Sequence, residues 1–222
     1  HIGQALHQLD AYVPYVLAPG NHDYPGNAKH REGRTSEFFP PAHIEFKALA
    51  TGLFEGEKVD NSYRIIDTPS GPWLLIALEF GPRDTVLQWA DAVLKSHPDV
   101  PAMIVTHAYL YHDGTRYDWD RTRRQRDNPY RYGVAKSPDG VNDGQEMWDE
   151  LVSLHENIFL IVSGHVAGEG VGVLSSPGLH GNTVHQVLAI EESKDYTMDI
   201  SYGAGIATLN PFYVFLRPSL PN

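Results

Sequence analysis

The stretch Val13-Pro14-Tyr15-Val16-Leu17-Ala18-Pro19-Gly20-Asn21-His22-Asp23 sets an apolar run directly against a turn rich in groups that can bind a metal. An unbroken apolar run closed by Pro-Gly is the pattern of a buried strand ended by a turn. The same arrangement recurs twice: Met103-Ile104-Val105-Thr106 runs into His107, and Phe159-Leu160-Ile161-Val162-Ser163-Gly164 runs into His165. In open α/β sheets the loops beyond the strands' carboxyl ends meet in one crevice, so residues distant in sequence converge there. A single histidine after a strand is an ordinary structural residue. Three strand ends with the same chemistry point to a shared site.

The segments around these strands predict how the layers alternate. Ile2, Ala5, Leu6 and Leu9 have the spacing of an amphipathic helix leading into the first strand. Ser62 to Ile66 and Trp73 to Leu78 flank the turn Thr68-Pro69-Ser70-Gly71-Pro72 and read as a hairpin. Val86, Leu87, Ala90, Val93 and Leu94 form one face of a helix that leads through Pro98 and Pro101 to a strand at Ala102 to Thr106. Asn142 or Asp143 can cap a further helix carrying Met147, Leu151 and Leu154, which delivers the chain to a strand at Ile158 to Val162. Thr183 to Ile190 reads as the last clear strand, and the tail from Ser193 to Asn222 alternates irregularly. Residues 24 to 60 and 108 to 142 read as long polar excursions. The expectation is an α/β fold in one domain spanning residues 1–222.

Composition narrows the chemistry. The chain has 222 residues, 41% of them hydrophobic, enough for one sizeable core. Its formal charge of -11 repels phosphate backbones at long range, which argues against a broad nucleic-acid surface but leaves room for a phosphoester in a small metal-lined pocket. No apolar run approaches the roughly 20 residues that span a bilayer. The absence of cysteine excludes disulfides, thiolate zinc sites and thiol nucleophiles, so any metal takes nitrogen and oxygen ligands. Neither composition nor motif assigns a compartment or an oligomeric state.

Gly20-Asn21-His22-Asp23 resembles the G-N-H-D/E motif of calcineurin-like metallophosphoesterases, His107 that family's isolated histidine after a strand, and Gly164-His165 the start of its G-H-x-H motif. The order matches the family order, and the resemblance runs from about Val13 to Ile190. The phrases THAYLY (106–111) and DGVNDGQEMWDEL (139–151) are similar to a branch containing serine/threonine-phosphatase-like proteins. The resemblance implies layered sheets flanked by helices, a four-layer α/β/β/α sandwich. It also implies hydrolysis of a phosphoester substrate by a pair of divalent or trivalent ions, Mn, Fe or Zn, about 4 Å apart. By the same resemblance Asn21, His107 and His165 bind the second metal. His22 acts as general acid toward the leaving alkoxide, and Asp23 fixes the His22 tautomer.

The family's D-x-H and G-D-x-x-D motifs, which supply most of the first metal site and the bridging carboxylate, do not occur ahead of Gly20. The expectation is a domain incomplete at its N-terminus, with little activity as a fragment, since two ions held so close repel without the bridging anion. Asp10 then reads as a helix-end residue. In Gly164-His165-Val166-Ala167 the fourth position is alanine, which binds no metal; His180 and His185 are the substitutes to consider, with structural roles the simpler reading. An inactive binding module on the same fold is the alternative function. A zinc hydrolase of the H-E-x-x-H type lacks its motif.

Other groups invite two readings each. Arg121, Arg123, Arg124 and Arg126 could clamp phosphate, or could form a solvated loop neutralised by Asp118, Asp120 and Asp127. Tyr109, Tyr111 and Trp119 could line a pocket rim or anchor their loop. The acidic stretch Asp139 to Gly144 fits helix capping better than a calcium loop.

Overall fold

Two residues, Pro69 and Ser70, connect the strands β2 (Ser62–Thr68) and β3 (Gly71–Ala77), which pair antiparallel from Ser62↔Ala77 to Thr68↔Gly71. The Thr68 hydroxyl locks the turn, accepting from Ser70 N–H at 3.2 Å and donating to the Gly71 carbonyl at 2.7 Å. Gly71 has φ 113°, a conformation that favours glycine. In the computed structural model, residues 16–33, 35, 51–56, 58–166 and 172–188 are described, together with the backbone of strands within 198–218.

From β3 the chain enters helix α1 (Asp84–Ser96), whose buried residues are Val86, Leu87, Ala90, Val93 and Leu94, the face expected from their spacing. It returns as β4 (Ala102–Val105), parallel to β3 with Leu74 opposite Ala102. This is a β-α-β unit, in which the helix covers one sheet face and both strand ends point the same way. After the second excursion comes helix α2 (Gly144–Glu150), capped by Asp143, which accepts from Gln145 and Glu146 N–H. Then β5 (Ile158–Ser163) pairs parallel with β4. Beyond it, β7 (Thr183–Leu188) pairs parallel with β5, and β6 (Gly172–Pro177) lies antiparallel outside β7. With β1 (Gly52–Leu53) at the far edge, the sheet order is β1-β2-β3-β4-β5-β7-β6.

Residues alternate between the two faces, and both faces are buried. Leu74, Ile76, Ala102, Ile104, Ile158 and Ile161 join the helix-side cluster, whereas Trp73, Leu75, Met103, Phe159 and Leu160 form a second cluster opposite. Trp73 meets Phe159 edge-on with centroids 4.8 Å apart. Burial on both sides explains the continuous apolar runs of β3, β4 and β5. Each fully buried side chain of this size contributes about 1.5–3 kcal/mol. The fold is mixed α/β, as expected, and no helix among the described residues is long and apolar enough to cross a membrane.

Three expectations need correction or completion. The run at Val13 to Ala18 does not appear as a strand where it is described: Val16 to Gly20 are half-buried or buried but irregular, and no strand pairs with them among the described residues. Its first three residues and the expected helix at 1–9 lie outside the described residues, as does the stretch 36–50 of the excursion at 24–60. The tail, left without strands in the sequence reading, contains an antiparallel sheet of β8 (Met198–Tyr202), β9 (Gly205–Asn210) and β10 (Tyr213–Pro218) in the order β10-β9-β8. The edge strand β6 was also unforeseen.

Candidate metal centre

Gly20 and Asp23 close the first loop on itself. Asp23 N–H donates to the Gly20 carbonyl at 3.0 Å, and Gly20 N–H donates to the Asp23 carboxylate at 2.8 Å, shaping a short 3-10 turn over Asn21–Asp23. Asn21 is buried, 4% exposed, while His22 and Asp23 face solvent. The Asn21 amide is oriented from behind: its Nδ2 donates to Asn27 Oδ1, on a turn where Asn27 has φ 57°. Asn21 Oδ1 is thereby directed at His107 Nε2, 3.0 Å away. Gly20 has no room for a side chain here, since a Cβ would lie 2.9 Å from His107 Cε1.

His107 follows β4 by one residue, and its carbonyl accepts from Gly164 N–H at 2.9 Å, which ties the second loop to the third. His165 stands next in sequence, with φ 87°, a left-handed conformation that is uncommon for a side chain of this size. Its Nε2 lies 2.6 Å from the Asp127 carbonyl oxygen. A carbonyl can only accept, so Nε2 carries the proton and Nδ1 keeps its lone pair. That Nδ1 is buried and has no hydrogen-bond partner.

The two imidazoles face each other with centroids 4.7 Å apart and an interplanar angle of 64°. Phe80 packs against both, at 5.9 Å from His107 and 5.2 Å from His165, and Tyr132 and Tyr117 flank His165 at 5.8 and 6.0 Å. This aromatic setting leaves both rings only partly exposed. Burial, reinforced by the neighbouring His165 and His22, pushes the His107 pKa down to about 3. Burial also lowers that of His165, against the opposing pull of the Asp127 carbonyl. Both rings are therefore neutral at pH 7, the form that binds metal.

The donor set suits one borderline ion: two imidazole nitrogens and an amide oxygen. Asn21 Oδ1 accepts from His107 Nε2–H at 3.0 Å, so an ion bound there would take the place of that proton, with His107 switching to its Nδ1–H tautomer. The unpartnered Nδ1 of His165 is a third donor without another use. Among the described residues no group of three or more His, Asp or Glu stands ready to hold an ion, so the centre is a mixed partial shell. Asp23 serves the turn through Gly20 N–H, and no hydrogen bond joins it to His22 among the described residues. His22 is near enough to disfavour protonation of both buried histidines.

The remaining candidates fall outside the centre. His180 Nε2 lies 3.1 Å from the Leu154 carbonyl, and His185 Nδ1 meets Ser175 Oγ at 2.9 Å across the β6–β7 pair. Ala167 lies outside the described residues. Arg126 pairs with Asp127 at 2.9 Å, while Arg123 and Arg131 lie over the Trp119 ring, which stacks on Tyr130. Tyr109 is fully buried, and Trp119 N–H donates to Asp143, so these aromatics anchor the loop. Asp143 caps α2, as the capping reading of its stretch expected. Sequence reasoning missed Asn27, Phe80 and the Asp127 carbonyl. The last acts through its backbone, which leaves no side-chain signature, although the turn-forming Asp127-Asn128-Pro129 marks a bend there.

Comparison with protein-family models finds no match. The chain is similar to the uncharacterized protein YvnB of Bacillus subtilis (strain 168), 24% identical over 156 residues. That alignment takes in 69% of this chain and 10% of YvnB, so the chain spans about a tenth of the length of the relative it matches.

Proposed function

We propose that this chain is the greater part of a calcineurin-like metallophosphoesterase domain with the four-layer α/β/β/α arrangement, and that the intact domain hydrolyses phosphoesters. One observation carries the reading: the Asn21 amide and the His107 and His165 rings meet from three loops, two of them directly following parallel strands, and His165 Nδ1 is buried without a hydrogen-bond partner. They match the ordered strand-end motifs in the sequence. Asn21, His107 and His165 would hold one ion of a Mn, Fe or Zn pair. When bound, such a pair neutralises phosphoryl oxygens and supplies an activated water.

The chain's own residues have separate tasks. Asn27 orients the Asn21 amide, and the Asp127 carbonyl selects the His165 tautomer. Phe80 and Tyr132 pack against the His165 ring and hold its orientation. His22, exposed beside the buried pair, is placed to give its proton to the departing alkoxide oxygen as the phosphorus–oxygen bond breaks, and it then recovers one from solvent. Asp23 fixes the turn that carries it.

The test is metal content and turnover of aryl phosphate monoester and diester substrates by the intact domain, extended ahead of Gly20 to include the first metal site, with Mn²⁺ added. Metal-stimulated hydrolysis by that extended protein is expected. His22→Ala should lower turnover and keep the metal, whereas His165→Ala should lose the metal. Bound metal without turnover of either substrate would replace the hydrolase reading with that of an inactive binding module.

A further inference from the structure

The excursion that supplies the Asp127 carbonyl also encloses a cavity of about 480 Å³, with Arg116, Arg121 and Arg124 in its wall and Tyr111 and Leu174 beside them. Arg116 is held in one orientation entirely by neutral groups. Its Nε donates to Gln186 Oε1 at 2.8 Å, its terminal nitrogens to Ser176 Oγ at 2.8 Å and Gln145 Oε1 at 3.4 Å, and it stacks 3.8 Å above Trp148. Two of its five N–H donors stay uncommitted by these bonds.

The carboxylates in the same wall are engaged with their own backbone. Asp113 accepts from Thr115 N–H and its hydroxyl at 3.0 and 2.6 Å, and Asp118 from Arg121 N–H at 2.8 Å. Among the described residues no carboxylate pairs with Arg116, Arg121 or Arg124; Arg126 alone of the run finds one, in Asp127. The self-neutralising loop expected from the sequence is therefore realised only at Arg126. In a chain of charge -11, three guanidinium groups against the carboxylates of Asp113 and Asp118 leave this cavity wall with an excess of one positive charge.

Two aromatic rings link the cavity to the histidine pair. The cavity's Tyr111 packs on Tyr117 at 5.3 Å, and Tyr117 packs on His165 at 6.0 Å. Gln125, also in its wall, stands two residues before the Asp127 that holds His165. We infer that this cavity is an anion-recognition pocket for a second phosphate or carboxylate on a small-molecule substrate whose phosphoester lies at the histidine centre. Planar guanidinium forks match these oxyanions in a bidentate way, and Arg116 is preorganised for one. The second half of the inference rests on the proposed hydrolase reading; the pocket itself does not.

Calorimetric titration of the metal-free protein with inorganic pyrophosphate tests the pocket. Saturable binding is expected. It should weaken about tenfold or more when two charge-assisted contacts are removed in Arg121→Ala/Arg124→Ala, whose exposed side chains carry little of the fold, and stay unchanged in His107→Ala. No saturable binding, equal binding by the double arginine variant, or loss in His107→Ala would overturn it. With metal added, biphenyl bisphosphate should show a lower KM than biphenyl monophosphate, and the double variant should erase that difference while keeping kcat for the monophosphate. Equal KM values in the parent protein overturn substrate recognition by the pocket. Pyrophosphate binding with no turnover at all overturns the hydrolase reading, and with it the assignment of the anion to a substrate.

Discussion

Gly20 and His107 sit so close that one methyl group decides whether the centre forms. The Cβ of Gly20→Ala would lie 2.9–3.1 Å from three atoms of the His107 ring, closer than carbon and nitrogen tolerate. Gly20 itself has an ordinary extended backbone, φ -92° and ψ 172°, so the conflict is steric rather than conformational. Overpacking of this kind costs about 1–3 kcal/mol. Gly20→Ala is expected to lower the unfolding free energy from urea denaturation by that amount and to weaken metal uptake, both measurable on the same sample. His165 presents the opposite case. Its φ of 87° stores strain, and His165→Gly relieves it while losing the bond to the Asp127 carbonyl. Relief of about 1–3 kcal/mol of strain is opposed by loss of a hydrogen bond of about 1 kcal/mol and of the ring packing against Phe80, His107, Tyr117 and Tyr132. Denaturation should therefore show His165→Gly losing less stability than His165→Ala, which empties the same site without relieving φ; an equal or larger loss in His165→Gly would contradict that account.

Among the elements, α2 depends most on a single side chain. Asp143, 1% exposed, accepts from Gln145 and Glu146 N–H to cap the helix, and also from Trp119 N–H at 2.7 Å and Asn128 Nδ2 at 3.1 Å. Asp143→Ala removes a cap worth about 1 kcal/mol and orphans buried donors worth about 1–3 kcal/mol more. Chemical denaturation should show a loss of about 2–4 kcal/mol, with Asp143→Asn losing less because an amide oxygen still caps. A second link joins α1 to the start of β5: His155 Nε2 lies 3.0 Å from Asp91 Oδ1. Burial lowers the His155 pKa despite that carboxylate. As pH falls below the usual histidine value of about 6.5, the unfolded chain gains a proton that the folded chain resists, so the stability is present above that range and declines below it. Urea midpoints at pH 7 and pH 5 should differ less in His155→Gln than in the parent. The sequence disclosed α1 almost residue for residue because a 3.6-residue period is local. Strand β6 was hidden because Leu174 is its one half-buried large apolar residue inside a polar edge, and its place comes from pairing with β7. Strands β8 to β10 find their partners in one another, which the pattern of a single segment does not reveal.

For the whole molecule, the proposed metal centre predicts a linkage between metal binding and folding. An ion held by Asn21, His107 and His165 binds the folded state alone, and at a free concentration 100 times Kd it adds about 2.7 kcal/mol. Mn²⁺ or Zn²⁺ should raise the melting temperature, chelator should reverse the rise, and His165→Ala should abolish it. His107 and His165 were legible as residues that follow apolar strands, whereas Asn21 was legible from its motif alone, since no strand precedes it among the described residues. Their supports, Asn27, Phe80 and the Asp127 carbonyl, come from loops whose return to the site is set by packing. That return is governed by the pairing of β4 with β5, which brings Ala102 to Ile158 across the entire second excursion. Joining such distant segments carries a loop-closure cost before any contact repays it, and long-range parallel pairing slows folding. His107 and His165 ride at the ends of these two strands, so their rings meet only once that pairing has formed. A metal signal that develops during refolding would time the closure of the sheet itself.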